Sequence, residues 1–170
     1  MVVYCALLRA VNVGGFGTLR MADLRRLCEE AGLRRVRTYV ASGNVVFDST
    51  APEAEVKATL EVSLAAHMGA PMPVMVRSAA EMAAIVAANP FPQAAPERTL
   101  AIFLDAPPPA DALTAATGRQ AEELRLGARE IYVHYGEGMA RTRLRIPAAA
   151  AGTGRNMNTV AKLAHMAATD

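Results

Sequence analysis

Three short polar stretches hold most of the side chains in this sequence that could do chemistry: RAVNVGG over residues 9–15, SGN over 42–44 and TGRNMNT over 153–159. Arg9 and Asn12 stand beside Gly14 and Gly15, whose backbone N–H groups can turn toward a ligand. Ser42 and Asn44 flank Gly43. Guanidinium, carboxamide and bare backbone together suit an anion or a polar planar group. At the other end of the chain Arg155, Asn156 and Thr159 sit at a predicted helix start, where unpaired N–H groups and a partial positive charge favour an anion. Arg9, Asn12, Ser42, Asn44, Arg155, Asn156 and Thr159 are therefore the candidate ligand-binding residues, with Gly14 and Gly15 enabling close approach. A blander reading fits the same residues. Glycines serve tight turns, an Asn closes its own hairpin, and Asn156 or Thr153 is an N-cap.

Groups for proton transfer or covalent chemistry are few. His67, His134 and His165 show no spacing that suggests a metal set or a nucleophile relay. Cys5 falls in an apolar run and Cys28 on a helical apolar stripe, so both read as packed thiols and not as a zinc or disulfide pair. The glycine pattern is neither a phosphate-binding P-loop nor a dinucleotide fingerprint. No cofactor and no metal are expected, and binding is easier to support than catalysis. An enzyme on a small nucleotide or carbonyl substrate, with Arg9 or Arg155 stabilising developing negative charge, is the alternative. A further alternative is an RNA-binding or homodimeric interaction module, for which Tyr4 and Phe47 would have to lie on an open sheet face.

Among 170 residues, 52% are hydrophobic and 20% charged, which excludes a disordered or low-complexity chain. The apolar run Val2–Leu8 is far shorter than the ~20 residues of a membrane span and lacks a charged lead-in, so a cytoplasmic protein is expected. The net charge of +2 is spread unevenly: residues 1–50 carry +3, residues 51–118 carry −4 and residues 119–155 carry +3. With an acidic middle third, a small anionic or nucleotide ligand suits the chain better than long nucleic acid.

These residues must be positioned by the elements between them. VVYCALLR reads as a buried strand, and Met21, Leu24, Leu27, Cys28 and Ala31 recur at helical spacing until Gly32. VRTYVA and NVVFD form a hairpin turning at Ser42-Gly43-Asn44, with Arg34, Arg35 and Arg37 as a solvated edge before it. Thr50 with Glu53 predicts a capping box for a second helix, PVMVR a strand, and Ser78 with Glu81 a capping box for a third helix ending before Asn89-Pro90. That order is the split βαβ of a ferredoxin-like module, with the first sheet in spatial order 4-1-3-2. The same order recurs more weakly: a strand at 99–104, a helix after the prolines at 107–109, strands near 121–126 and 130–135, a weak helix, a short strand at 152–154 and a closing helix from Asn156. The expectation is an α+β protein of two duplicated ferredoxin-like (βαββαβ) modules with antiparallel sheets, over residues 1–92 and 93–170.

Four motifs carry a resemblance: LLRAVNVGG (7–15) followed by Met21, RTYVASGNVVF (37–47), NPF (89–91) and TGRNMNTVAKL (153–163). In this order the chain resembles a bacterial family known as domain of unknown function 1697, marked by LLRGINVGG, RTYxxSGNVVF, NPF and TxRNWxTVxKL. The resemblance implies a duplicated ferredoxin-like α+β fold in the bacterial cytosol, with no established activity. Ala10 replaces the usual Gly and Met157 the usual Trp.

Overall fold

The computed structural model describes residues 1–9, 19–39, 43–136 and 141–169. Among them the chain is α+β, with two antiparallel four-stranded sheets and four α-helices. It divides into two compact units, Met1–Ala83 with Leu163–Asp170, and Ala84–Lys162.

In the first unit β1 (Val2–Leu8), β2 (Arg34–Tyr39), β3 (Asn44–Ser49) and β4 (Val74–Ser78) form a sheet in the order β2-β3-β1-β4. This is the expected 4-1-3-2 order seen from the opposite edge. Alternate residues of the strands, among them Tyr4, Ala6, Leu8, Val45, Phe47, Val74 and Val76, form one core with α1 (Met21–Glu30) and α2 (Glu53–Met68). The helices contribute Leu24, Leu27 and Cys28 from α1, and Val56, Leu60 and Leu64 from α2. Each such leucine, fully buried, stabilises the fold by about 1.5–3 kcal/mol. Tyr4 and Phe47 are inside this core with ring centroids 6.1 Å apart, and the Tyr4 hydroxyl donates to Ala51 O, so neither ring is open for base stacking. Residues on the opposite face of the sheet, Cys5, Leu7, Val46, Met75 and Arg77, are buried too.

Two local readings are corrected and a third holds. Arg34 and Arg35 belong to β2 and do not precede it; a bulge lies between Arg34 and Arg37, and Arg35 has φ +48°. Its guanidinium grips both carboxylate oxygens of Asp48 at 2.6 and 3.1 Å, the bidentate geometry that suits arginine. The Thr50–Glu53 box does not cap α2. The N-cap is Pro52, with no side-chain cap, and Ser49 Oγ instead accepts the Ala51 N–H in a local turn. The Ser78–Glu81 box does form, with both reciprocal bonds at 2.9 and 3.1 Å, and opens α3 (Ala79–Ala87).

In the second unit β5 (Thr99–Phe103), β6 (Glu123–Leu126), β7 (Glu130–His134) and β8 (Thr153–Asn156) take the order β6-β7-β5-β8. No α-helix follows the prolines at 107–109. The segment makes turns, with one helical-type bond from Ala115 N to Asp111 O, while Thr114 Oγ1 donates to that same carbonyl. Among the described residues that follow β7, the expected weak helix is only a 3-10 turn at Pro147–Ala149. Apolar side chains of both stretches, Ala112, Leu113 and Ala116 in one and Leu144, Ile146, Ala148 and Ala149 in the other, pack on the second core from turns. The closing helix α4 (Met157–Ala168) begins after Asn156 as expected, with Met157, Val160, Leu163 and Ala167 buried at helical spacing.

Candidate functional site

At one end of the first sheet the register pairs Leu7 with Asn44. The Leu8 N–H donates to Gly43 O at 2.9 Å, and the Arg9 N–H donates to Pro73 O at 3.0 Å. The backbone that delivers Arg9 is thus tied to the β3 hairpin on one side and to the start of β4 on the other. Gly43 has φ +83°, a conformation that side chains other than Asn and Asp rarely adopt, which is why glycine suits this position. Asn44 is fully buried and its Nδ2 donates to Tyr39 O at 2.9 Å, closing its own hairpin. Arg9 and Asn44 therefore share one end of the sheet. Asn12, Gly14, Gly15 and Ser42 lie outside the described residues.

The second candidate group gathers at the junction of β8 and α4. Arg155 is buried on β8, where its Nη1 donates to Thr153 Oγ1 at 2.7 Å and to Gly154 O at 3.0 Å. Asn156 Oδ1 accepts the Thr159 N–H at 3.0 Å, so Asn156 is the N-cap of α4 and Thr159 lends its backbone donor to that cap. Arg9 and Asn44 belong to one compact unit; Arg155, Asn156 and Thr159 belong to the other.

One residue that the sequence pattern missed matches this junction closely. Arg77 is almost wholly buried on β4 and faces Cys5 in register, as Arg155 faces Ala101. Its Nη1 donates to the carbonyl of the preceding residue, Val76, as that of Arg155 does to Gly154. The next residue in each case, Ser78 or Asn156, caps a helix by accepting an N–H three residues on. The repeated order Arg, cap, helix was the signal in the sequence.

Other reactive groups are packed away or remote. Burial pushes the Cys28 thiol up to about 12, so it holds its proton at neutral pH and is a poor nucleophile. Among the described residues no group of three or more His, Cys, Asp and Glu side chains could hold a metal ion, and no helix is long and apolar enough to cross a membrane. A polar cavity of ≈ 210 Å³ is lined by Gly32, Arg34, Asp48, Ser49 and Thr50, and an apolar groove of ≈ 410 Å³ by Val62, Ala65, Pro71 and Met72 among others. Among the described residues, none of the candidate ligand-binding residues lines either.

The sequence profile of a family described as "Protein of unknown function (DUF1697)" matches residues 1–132. Among solved structures, the conserved bacterial protein SP0830 from Streptococcus pneumoniae is similar, with a TM-score of 0.80, 24% identity and 99% of each chain covered. At that identity the likeness speaks for the fold alone. No curated protein matches the chain.

Proposed function

Because the chain belongs to the DUF1697 family, whose function is unknown, we propose a role from its own geometry: it binds a small polar or anionic ligand at the Arg9–Asn44 end of the first sheet. The double anchoring of the residue 8–9 backbone, to Gly43 O and to Pro73 O, carries this reading. A guanidinium on so constrained a stem loses less freedom on meeting a ligand than one on a loose loop, which favours affinity. Gly14, Gly15, Asn12 and Ser42 are assigned to the same site by sequence proximity, and Arg155, Asn156 and Thr159 to a second anion contact at the start of α4. The ligand class is a small anion or nucleotide, met in the cytoplasm. Mass spectrometry of small molecules that co-purify with the protein tests this. A ligand carried by the wild type and lost from Arg9→Ala is the expected result; identical ligand content in both would refute it.

We also infer that the two sheets are copies of one ferredoxin-like βαββαβ module, residues 1–92 and 93–170, the second having lost its helical crossovers. The shared strand order and the matched Arg77–Ser78 and Arg155–Asn156 junctions support this. A superposition that pairs Cys5 with Ala101 and Arg77 with Arg155 should bring all eight strands into register, and a one-residue slip between the sheets would argue against it.

A further inference from the structure

The NPF motif and His134 meet against the second sheet. Asn89 Oδ1 accepts the Phe91 N–H at 2.9 Å, a local turn that sets the Phe91 ring 5.9 Å from the His134 ring, centroid to centroid. The Arg125 guanidinium carbon lies 5.7 Å from the centre of the same Phe91 ring. On the other side of the imidazole, Thr99 Oγ1 is 3.3 Å from His134 Nδ1 and 3.1 Å from Ala95 O. Thr99 is wholly buried and has a single hydroxyl hydrogen.

Two hydroxyl contacts and one hydrogen decide the tautomer. A carbonyl can only accept, so the contact to Ala95 O is a hydrogen bond only when Thr99 donates to it. The hydroxyl oxygen can then only accept from the ring, which places the proton on Nδ1. In the reverse arrangement Thr99 donates to Nδ1, and two acceptor oxygens face each other at 3.1 Å with no hydrogen between them. Only the first arrangement makes both contacts favourable.

We propose that Thr99 holds His134 as the Nδ1–H tautomer, so that its Nε2 lone pair forms a second ligand site that accepts a hydrogen from a neutral planar amide edge. His134 is partly exposed, and no hydrogen bond to Nε2 is present among the described residues. The chemistry of the neighbours selects the ligand. Glu123 stands directly opposite His134 in register and is exposed, which repels an anion. Arg125, two residues on and also exposed, offers N–H donors to a carbonyl. An N–H for Nε2 beside a C=O for Arg125 is the edge of an amide or of a lactam-type base. Thr99 is the positioning residue, and the site is independent of Arg9.

Imidazole 15N resonances of the whole protein read the tautomer directly. The wild type should show His134 protonated at Nδ1, Thr99→Val should lose that preference, and Thr99→Ser, which restores the hydroxyl, should recover it. Amide spectra establish that each variant is folded. Uridine, whose N3–H lies between two carbonyls, is the probe for the site: its addition should move the His134 Nε2 resonance, with weaker binding in Arg125→Gln. An Nε2–H tautomer in the wild type, or one unchanged in folded Thr99→Val, overturns the positioning. A resonance that uridine leaves unmoved overturns the ligand site.

Discussion

Asn44 and Arg9 lie at the same sheet end yet answer to different demands. Asn44 is wholly buried and closes its hairpin through Tyr39 O, so Asn44→Ala should lower stability by about 1–2 kcal/mol in urea unfolding, the usual effect of leaving a buried carbonyl short of its donor. Arg9 is partly exposed, and Arg9→Ala should stay within about 0.5 kcal/mol of wild type in the same assay while abolishing ligand capture. Cys28 allows a test by pH. Its thiol is raised from 9.0 to about 12, so above pH 9 the unfolded chain releases a proton that the native chain keeps. Stability must then fall with rising pH, by up to about 1.4 kcal/mol per pH unit from this group alone. Tyr132, raised from 10.0 to about 12 by burial, adds to the slope only above pH 10. Between pH 9 and 10 the unfolding midpoint of Cys28→Ala should therefore slope less than that of the wild type. Arg9, Asn44 and the two packed cysteines were legible in the sequence because their neighbours fix them. Arg77 and His134 were not, since strand register, not local pattern, gives them their surroundings.

Elements followed the sequence wherever periodicity and caps agreed. Ser78 and Glu81 make both bonds of their box, and Ser78→Ala should cost about 1 kcal/mol, whereas Thr50→Ala should change the thermal midpoint little because α2 starts on Pro52. The bulge in β2 had no local signature: it is imposed by pairing with β3 and held by Arg35 on Asp48. The stretch after Pro109 shows the converse: it is alanine-rich with good propensity, and Ala112, Leu113 and Ala116 pack on the second core from turns and not from a helix. Strand β4 is an edge of its sheet, and α2 blunts it. Glu61 Oε2 accepts the Val74 N–H at 2.9 Å while Lys57 Nζ donates to Val74 O, and the two side chains pair at 2.9 Å. Free edge groups invite pairing with another chain. Glu61→Val should therefore raise concentration-dependent association, seen by light scattering, beyond any loss of stability.

The whole chain carries a net charge of only +2 with an acidic middle third. Duplex or single-strand binding draws most of its affinity from many phosphate contacts, and its salt dependence grows with each. A mononucleotide should thus bind more tightly than an oligonucleotide, with a shallow salt slope, in titrations at low and moderate salt. Tight, steeply salt-dependent oligonucleotide binding would favour the RNA-binding alternative. The first half of the fold was legible because two helices with apolar residues at helical spacing and a glycine hairpin leave one arrangement of four strands. The second half was less so because its connections are turns, which carry no period.

Arg37 ties the first unit to the order in which the chain is made. Its Nη1 donates to Met166 O, 129 residues later, and its Nη2 is buried without a hydrogen-bond partner among the described residues. Leu163 and Ala167 of the same closing helix segment are buried. The first unit, whose strands are all translated before residue 79, therefore waits for the final turns of α4. A nascent chain still threaded in the ribosome holds a nearly finished sheet with one side of Arg37 uncovered. A premature stop before residue 163 would leave it in that state permanently, a target for chaperones and proteases.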